Sequence, residues 1–91
     1  MTQEDEVAQR YACPCCGFLT LHQPPPGSYE LCPVCYWEDD GVQFADPDYE
    51  GGANTESLKE ARANFRRLGA SSPNAVSRVR APRPDEQPVE D

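Results

Sequence analysis

Apolar residues recur along this chain in short, uneven runs, and one run carries a clear period. From Ser57 to Leu68, "SLKEARANFRRL", the positions Leu58, Ala61, Phe65 and Leu68 fall on a single helical stripe. Lys59, Arg62, Arg66 and Arg67 lie mostly off it. Ser57 followed three positions later by Glu60 fits a capping box, whose reciprocal bonds satisfy amides of the first turn. Gly69 suits a left-handed C-terminal stop. The pattern predicts a helix over Ser57–Leu68.

The other runs are shorter. Phe18-Leu19-Thr20-Leu21 reads as a strand, and Pro24-Pro25-Pro26-Gly27 as a turn that cannot continue a ladder. Ser28–Leu31 then reads as the returning strand that delivers Cys32. Val42-Gln43-Phe44 alternates weakly and predicts a third short strand, followed by irregular chain in "DPDYEGG". Residues 1–9 are polar and acidic, a flexible arm. From Ser71 the chain is rich in proline and charge and poor in aliphatics, which predicts a disordered tail over 71–91. The folded domain is therefore expected over residues 10–70.

Composition sharpens the need for a staple. Of 91 residues only 37% are hydrophobic, cysteines included, and 10 are proline. So small a core needs covalent or metal support. No apolar run approaches the roughly 18 residues of a membrane span. The acidic start "MTQEDEVAQR" is unlike a secretory signal, so the expected compartment is a reducing cytoplasm. Net charge is −8. Seven acidic residues from Glu30 to Glu50 face no basic residue in that interval. Nucleic-acid binding rests on a basic footprint, so that class is disfavoured.

The five cysteines supply the staple. Cys13-x-x-Cys16 and Cys32-x-x-Cys35 are separated by 15 residues, the spacing of a two-knuckle zinc site. Two residues between thiolates let a tight turn aim both sulfurs at one ion about 2.3 Å away. Pro14 and Pro33 preset φ for such turns. Gly17 permits the positive φ that follows the first knuckle, whereas the second carries Tyr36 there. The favoured reading is one structural Zn²⁺ on Cys13, Cys16, Cys32 and Cys35. The alternatives are a rubredoxin-like iron on the same ligands, redox-active CxxC thiols, or a site that recruits His22 or Cys15. Cys15 is expected as a free thiol pointing away from the ion, either a small filler or an exposed thiolate at the knuckle's tip. His22 reads as a surface or packing residue.

The acidic segment admits other uses. Asp46, Asp48, Glu50, Gly51 and Asn54 partly copy a calcium loop, but Ser57 stands where the bidentate glutamate belongs. A solvated turn is the simpler reading. Glu38, Asp39 and Asp40 would serve a zinc-site hydrolase, yet no nucleophile accompanies them and four thiolates leave no open position for water. Together with Tyr36 and Trp37, they are better read as an acidic interaction face for a protein with a basic surface.

The segments "YACPCCGFLTL", "PPPGSYELCPVCYWEDD", "DPDYEGGAN" and "SLKEARANF" together resemble the bacterial CPCC family of small cysteine-rich proteins, across residues 11 to 70. The resemblance implies a bacterial, intracellular, zinc-binding protein, and it implies no activity. The expected fold is a small α+β domain. A zinc-ribbon or rubredoxin-like hairpin carries two CxxC knuckles, and one C-terminal amphipathic helix packs Leu58, Phe65 and Leu68 against Phe18, Leu31, Trp37 and Phe44.

Overall fold

The structure, a computed structural model, describes residues 10–88. The acidic arm expected over residues 1–9 lies outside them, as do the last three residues of the chain.

The elements are few and short: strands β1 (Tyr11–Ala12) and β2 (Leu19–Leu21), a one-turn helix α1 (Gly41–Ala45) and helix α2 (Leu58–Leu68). Two 3₁₀ turns follow, at Pro73–Arg78 and Pro84–Glu86. No helix among the described residues is long and apolar enough to cross a membrane.

Helix α2 matches the periodic stripe. Ser57 caps it, its hydroxyl accepting from the Glu60 amide at 3.0 Å, and Gly69 ends it at φ 81°. Leu58 and Ala61 are fully buried, and the Phe65 ring meets Phe18 edge-on, centroids 6.2 Å apart. Leu68, in the last turn, remains partly exposed. Of the expected partners only Phe18 and Trp37 lie inward; Leu31 and Phe44 are exposed.

The hairpin forms with a different partner from the one expected. β1 and β2 pair antiparallel, Tyr11 with Leu21 and Ala12 with Leu19, so the first knuckle is itself the hairpin turn. Ser28–Leu31 does not return to β2. Leu31 instead bridges Glu38 across the second knuckle. The physical reason lies in Glu30, whose carboxylate takes the His22 and Gln23 amides that a strand partner would have bonded. Each knuckle therefore closes its own small hairpin.

The third strand expected at Val42-Gln43-Phe44 is helix α1. Asp40 caps it, one carboxylate oxygen accepting from the amides of Val42 at 2.8 Å and Gln43 at 3.2 Å. Local capping outweighs a weak alternation. The polarity is also inverted: Val42 and Phe44 face solvent, while Gln43 is fully buried. The Gln43 side-chain amide donates to the carbonyls of Tyr49, Asn54 and Glu56, and its oxygen accepts from the Asn54 amide. One glutamine thus supplies the loop before α2 with the backbone partners that a buried turn requires.

The segment after Ser71, expected to be disordered, packs onto the core, so the folded unit extends well past residue 70. The Ser71 amide donates to the Cys35 carbonyl at 2.7 Å, and the Arg80 amide to the Pro33 carbonyl at 3.1 Å. Glu86 is 2% exposed and accepts from both terminal nitrogens of Arg80, at 2.9 and 2.7 Å, and from the Arg83 amide at 2.8 Å. Arg10 approaches it from the other terminus at 3.6 Å. The hydrogen bonds from Arg80, opposed by burial, hold the Glu86 carboxyl down at about 2. Composition predicts disorder here because the segment buries almost no large apolar side chain. What anchors it is main-chain hydrogen bonding and the pairing of the buried Glu86 with Arg80 and Arg10, which composition does not register.

Nine buried residues form the centre: Cys13, Cys15, Leu21, Cys32, Val34, Cys35, Trp37, Leu58 and Ala61. Four of them are cysteines, so sulfur occupies the place where a larger domain would have aliphatic side chains.

Candidate metal centre

The two knuckles use one backbone recipe. In the first, the Gly17 amide donates to the Cys13 carbonyl at 2.8 Å and the Cys13 amide to the Phe18 carbonyl at 2.9 Å. In the second, the Tyr36 amide donates to the Cys32 carbonyl at 2.7 Å and the Cys32 amide to the Trp37 carbonyl at 3.0 Å. Closing such a turn requires positive φ after its second cysteine. Gly17 stands at 83° at little cost, and Tyr36 at 75° against its intrinsic preference. Pro14 and Pro33 occupy turn positions where the missing N–H is not needed.

These turns bring Sγ of Cys13, Cys16, Cys32 and Cys35 within 4.8 Å of one another. Cys13 and Cys35 are 3.6 Å apart and Cys16 and Cys32 3.8 Å, both contacts running from one knuckle to the other. With metal–sulfur bonds of about 2.3 Å, the edge of a tetrahedral tetrathiolate is about 3.8 Å. The cluster has that size, and its donor set suits a soft or borderline ion. The residues present therefore fit a four-coordinate metal.

Burial within the four is uneven. Cys13, Cys32 and Cys35 are at most 2% exposed, whereas Cys16 is only half-buried. Hydrogen bonding with Cys13, and then with Cys16, Cys35 and Thr20, holds the Cys32 thiol well below the ordinary range. Hydrogen bonding with Cys13 pushes Cys16 and Cys35 up, and burial adds to the rise. A cation taken up here displaces the protons shared by these sulfurs, so its affinity falls in acid.

The surroundings hold the knuckles in place. The Arg62 side chain, from α2, donates to the Pro14 carbonyl at 2.9 Å, while the second knuckle receives the tail amides of Ser71 and Arg80. Thr20, 3% exposed on β2, has its hydroxyl 3.0 Å from Cys32 Sγ.

The other candidate residues fall elsewhere. Cys15 is buried in the core beside the cluster and outside the four-sulfur group, in the filler's place rather than exposed at the tip. His22 is exposed and pairs with Glu30 at 2.8 Å. The proposed acidic face is dispersed. Trp37 is 1% exposed, Asp39 accepts from the Ser28 amide and hydroxyl, and Asp40 caps α1 and accepts from the Ala53 amide. The Ala53 bond above all, then those of Gln43 and Val42, hold the Asp40 carboxyl below its usual range. Only Tyr36 and Glu38 are partly accessible. The triplet is structural because each buried carboxylate serves orphan amides of a loop, so neither an interaction face nor a hydrolytic set assembles from it. In the calcium-like segment Asp46, Asp48 and Glu50 are exposed, while Asn54 is committed to the Glu38 amide and carbonyl.

Sequence reasoning missed Thr20, Gln43, Arg62, Arg80 and Glu86. Thr20 alone left a local trace, a hydroxyl within the apolar run Phe18–Leu21.

A family model described as cysteine-rich CPCC matches residues 11–86, which takes in both knuckles, α2 and the packed segment through Glu86. None of the curated proteins matches the chain.

Proposed function

The chain belongs to the cysteine-rich CPCC family, and we propose that it is a small structural-metal protein whose single Zn²⁺ is held by Cys13, Cys16, Cys32 and Cys35. The observation that carries this reading is the sulfur cluster, whose 3.6 and 3.8 Å edges suit a tetrahedral ion. When bound, the ion supplies cross-linking free energy on the order of 10 kcal/mol, more than so small an apolar core provides. Four protein ligands saturate it, which favours a structural role over hydrolysis. The same donors accept iron, and metal analysis with an absorption spectrum separates the two: zinc is colourless and a ferric tetrathiolate is red. One equivalent of zinc is the expected result; iron, or no metal, overturns it.

In this reading the stabilised domain serves as an interaction module for a protein with a basic surface. Its support is the exposed set Val42, Phe44 and Tyr49 among the exposed Asp46, Asp48 and Glu50. These residues lie on α1 and the loop that follows it, rather than in the Glu38–Asp40 triplet. Affinity capture with the wild type and with the D46K/D48K/E50K variant tests it, at low and high salt. A partner retained only by the wild type, and only at low salt, is expected. Equal recovery on both proteins overturns it.

A further inference from the structure

The four sulfurs of the cluster differ in what holds them. Among the described residues, Thr20 makes the one side-chain hydrogen bond to the cluster that comes from outside the cysteines, 3.0 Å from Cys32 Sγ. Thr20 is 3% exposed and sits on β2 beside the fully buried Leu21. A buried hydroxyl needs a partner, and this sulfur is the one available to it. A metal-bound thiolate only accepts hydrogen bonds, so the threonine donates. The bond also ties the first hairpin to the first ligand of the second knuckle, beside the sulfur contacts that run between the two turns. Cys16 has neither advantage: it is half-buried and receives no hydroxyl from the described residues.

We propose that Thr20 is a positioning residue of the metal centre, locking Cys32 Sγ in place as its anchored ligand and leaving Cys16 as the sulfur at which soft electrophiles modify the cluster. The inference rests on the reading that the four sulfurs hold a metal. Donation from Thr20 stabilises charge on Cys32 and fixes its direction, and loss of an outer-shell partner of this kind typically weakens metal binding about 10- to 100-fold. At Cys16, a maleimide adds by forming a carbon–sulfur bond from a sulfur lone pair as the alkene π bond breaks, and the adjacent alkene carbon takes its proton from water. Burial shields Cys13, Cys32 and Cys35 from the same attack.

The test uses the full chain loaded with Co²⁺, as wild type, Thr20→Val and Thr20→Ser. The Val variant keeps the side-chain shape without the hydroxyl, and the Ser variant keeps the hydroxyl. We expect Thr20→Val to retain the wild-type helical signal, to shift the sulfur-to-cobalt charge-transfer band, and to lose Co²⁺ to a chelator about 10- to 100-fold more readily. Thr20→Ser should restore both the band and the retention. Maleimide labelling of the loaded wild type, mapped by mass spectrometry, should reach Cys16 before Cys13, Cys32 or Cys35. An unchanged band and unchanged retention in Thr20→Val overturn the positioning role. Labelling of another cluster cysteine first overturns the assignment of Cys16, and this arm needs no variant to fold. Failure of the wild type to bind Co²⁺ or Zn²⁺ removes the metal reading itself, a separate result.

Discussion

The two CPxC knuckles are the same turn in two environments. From Cys13 to Cys32, nineteen positions on, the backbone hydrogen bonds repeat, and so do the flanking bridges, Ala12 to Leu19 and Leu31 to Glu38. Their packing diverges. The first knuckle lies at the edge, with Cys16 half-buried and one carbonyl capped by the Arg62 side chain. The second lies inside, with Cys32 and Cys35 fully buried and two carbonyls bonded by the tail. A four-residue motif is enough to shape the turn. Which turn becomes core is decided by the segments that fold over it.

The largest break in that comparison comes from the ligands. Cys32→Ser should abolish metal uptake and unfold the domain, since the ion contributes on the order of 10 kcal/mol. Cys16→Ser, at the open edge, should weaken metal binding yet leave a folded, partly loaded protein. Metal content together with far-ultraviolet circular dichroism separates the two, and equal behaviour would show that the asymmetry has no energetic weight. Chelation of the wild type should reproduce the Cys32→Ser spectrum.

Next comes the clamp on the inner knuckle. Glu86→Gln leaves Arg80 without its carboxylate and should cost about 2 kcal/mol, the value expected for a buried acceptor whose partner is one-third exposed. The wild type should show the same loss in acid. Because the folded-state carboxyl is depressed to about 2 from its ordinary 4.5, its stabilisation is present above pH 4.5 and fades as pH falls toward 2. Denaturant melts of both proteins across that window check this, and the variant's curve should be flatter there.

The smallest effects test the turns themselves. Gly17→Ala should cost about 1–2 kcal/mol through its positive φ alone, because a Cβ at Gly17 would meet nothing within 4 Å. At the matching position of the other knuckle, Tyr36→Asn should stabilise by about 0.5 kcal/mol, since asparagine tolerates φ 75° better than tyrosine. Urea midpoints of the two variants should therefore move in opposite directions.

How legible each region was follows from the range of its interactions. Helix α2 was readable to its caps, because Ser57, the Leu58–Phe65 stripe and Gly69 act over three or four positions. The ligand set was readable because CxxC spacing is itself a local geometry. Strand pairing was not: Phe18–Leu21 looks the same whether its partner is Tyr11 or Ser28–Leu31, and the Glu30 carboxylate settled the choice from eight positions away. The acidic triplet misled in the same manner. Asp39 and Asp40 read as surface charge until the amides of Ser28, Val42, Gln43 and Ala53 are seen converging on them.

The sequence alone therefore determined the two knuckles, the capped helix and the family to which they belong. Each is specified by contacts a few residues apart, where residue type and spacing carry the energetics. Only the tertiary structure decided that Cys32 and Cys35 are inside and Cys16 at the edge, that Thr20 serves a sulfur, and that the proline-rich segment after Ser71 is part of the fold. Those outcomes depend on hydrogen bonds between distant positions, such as Ser71 to Cys35 and Arg80 to Pro33. Composition and periodicity carry no signal of such pairings.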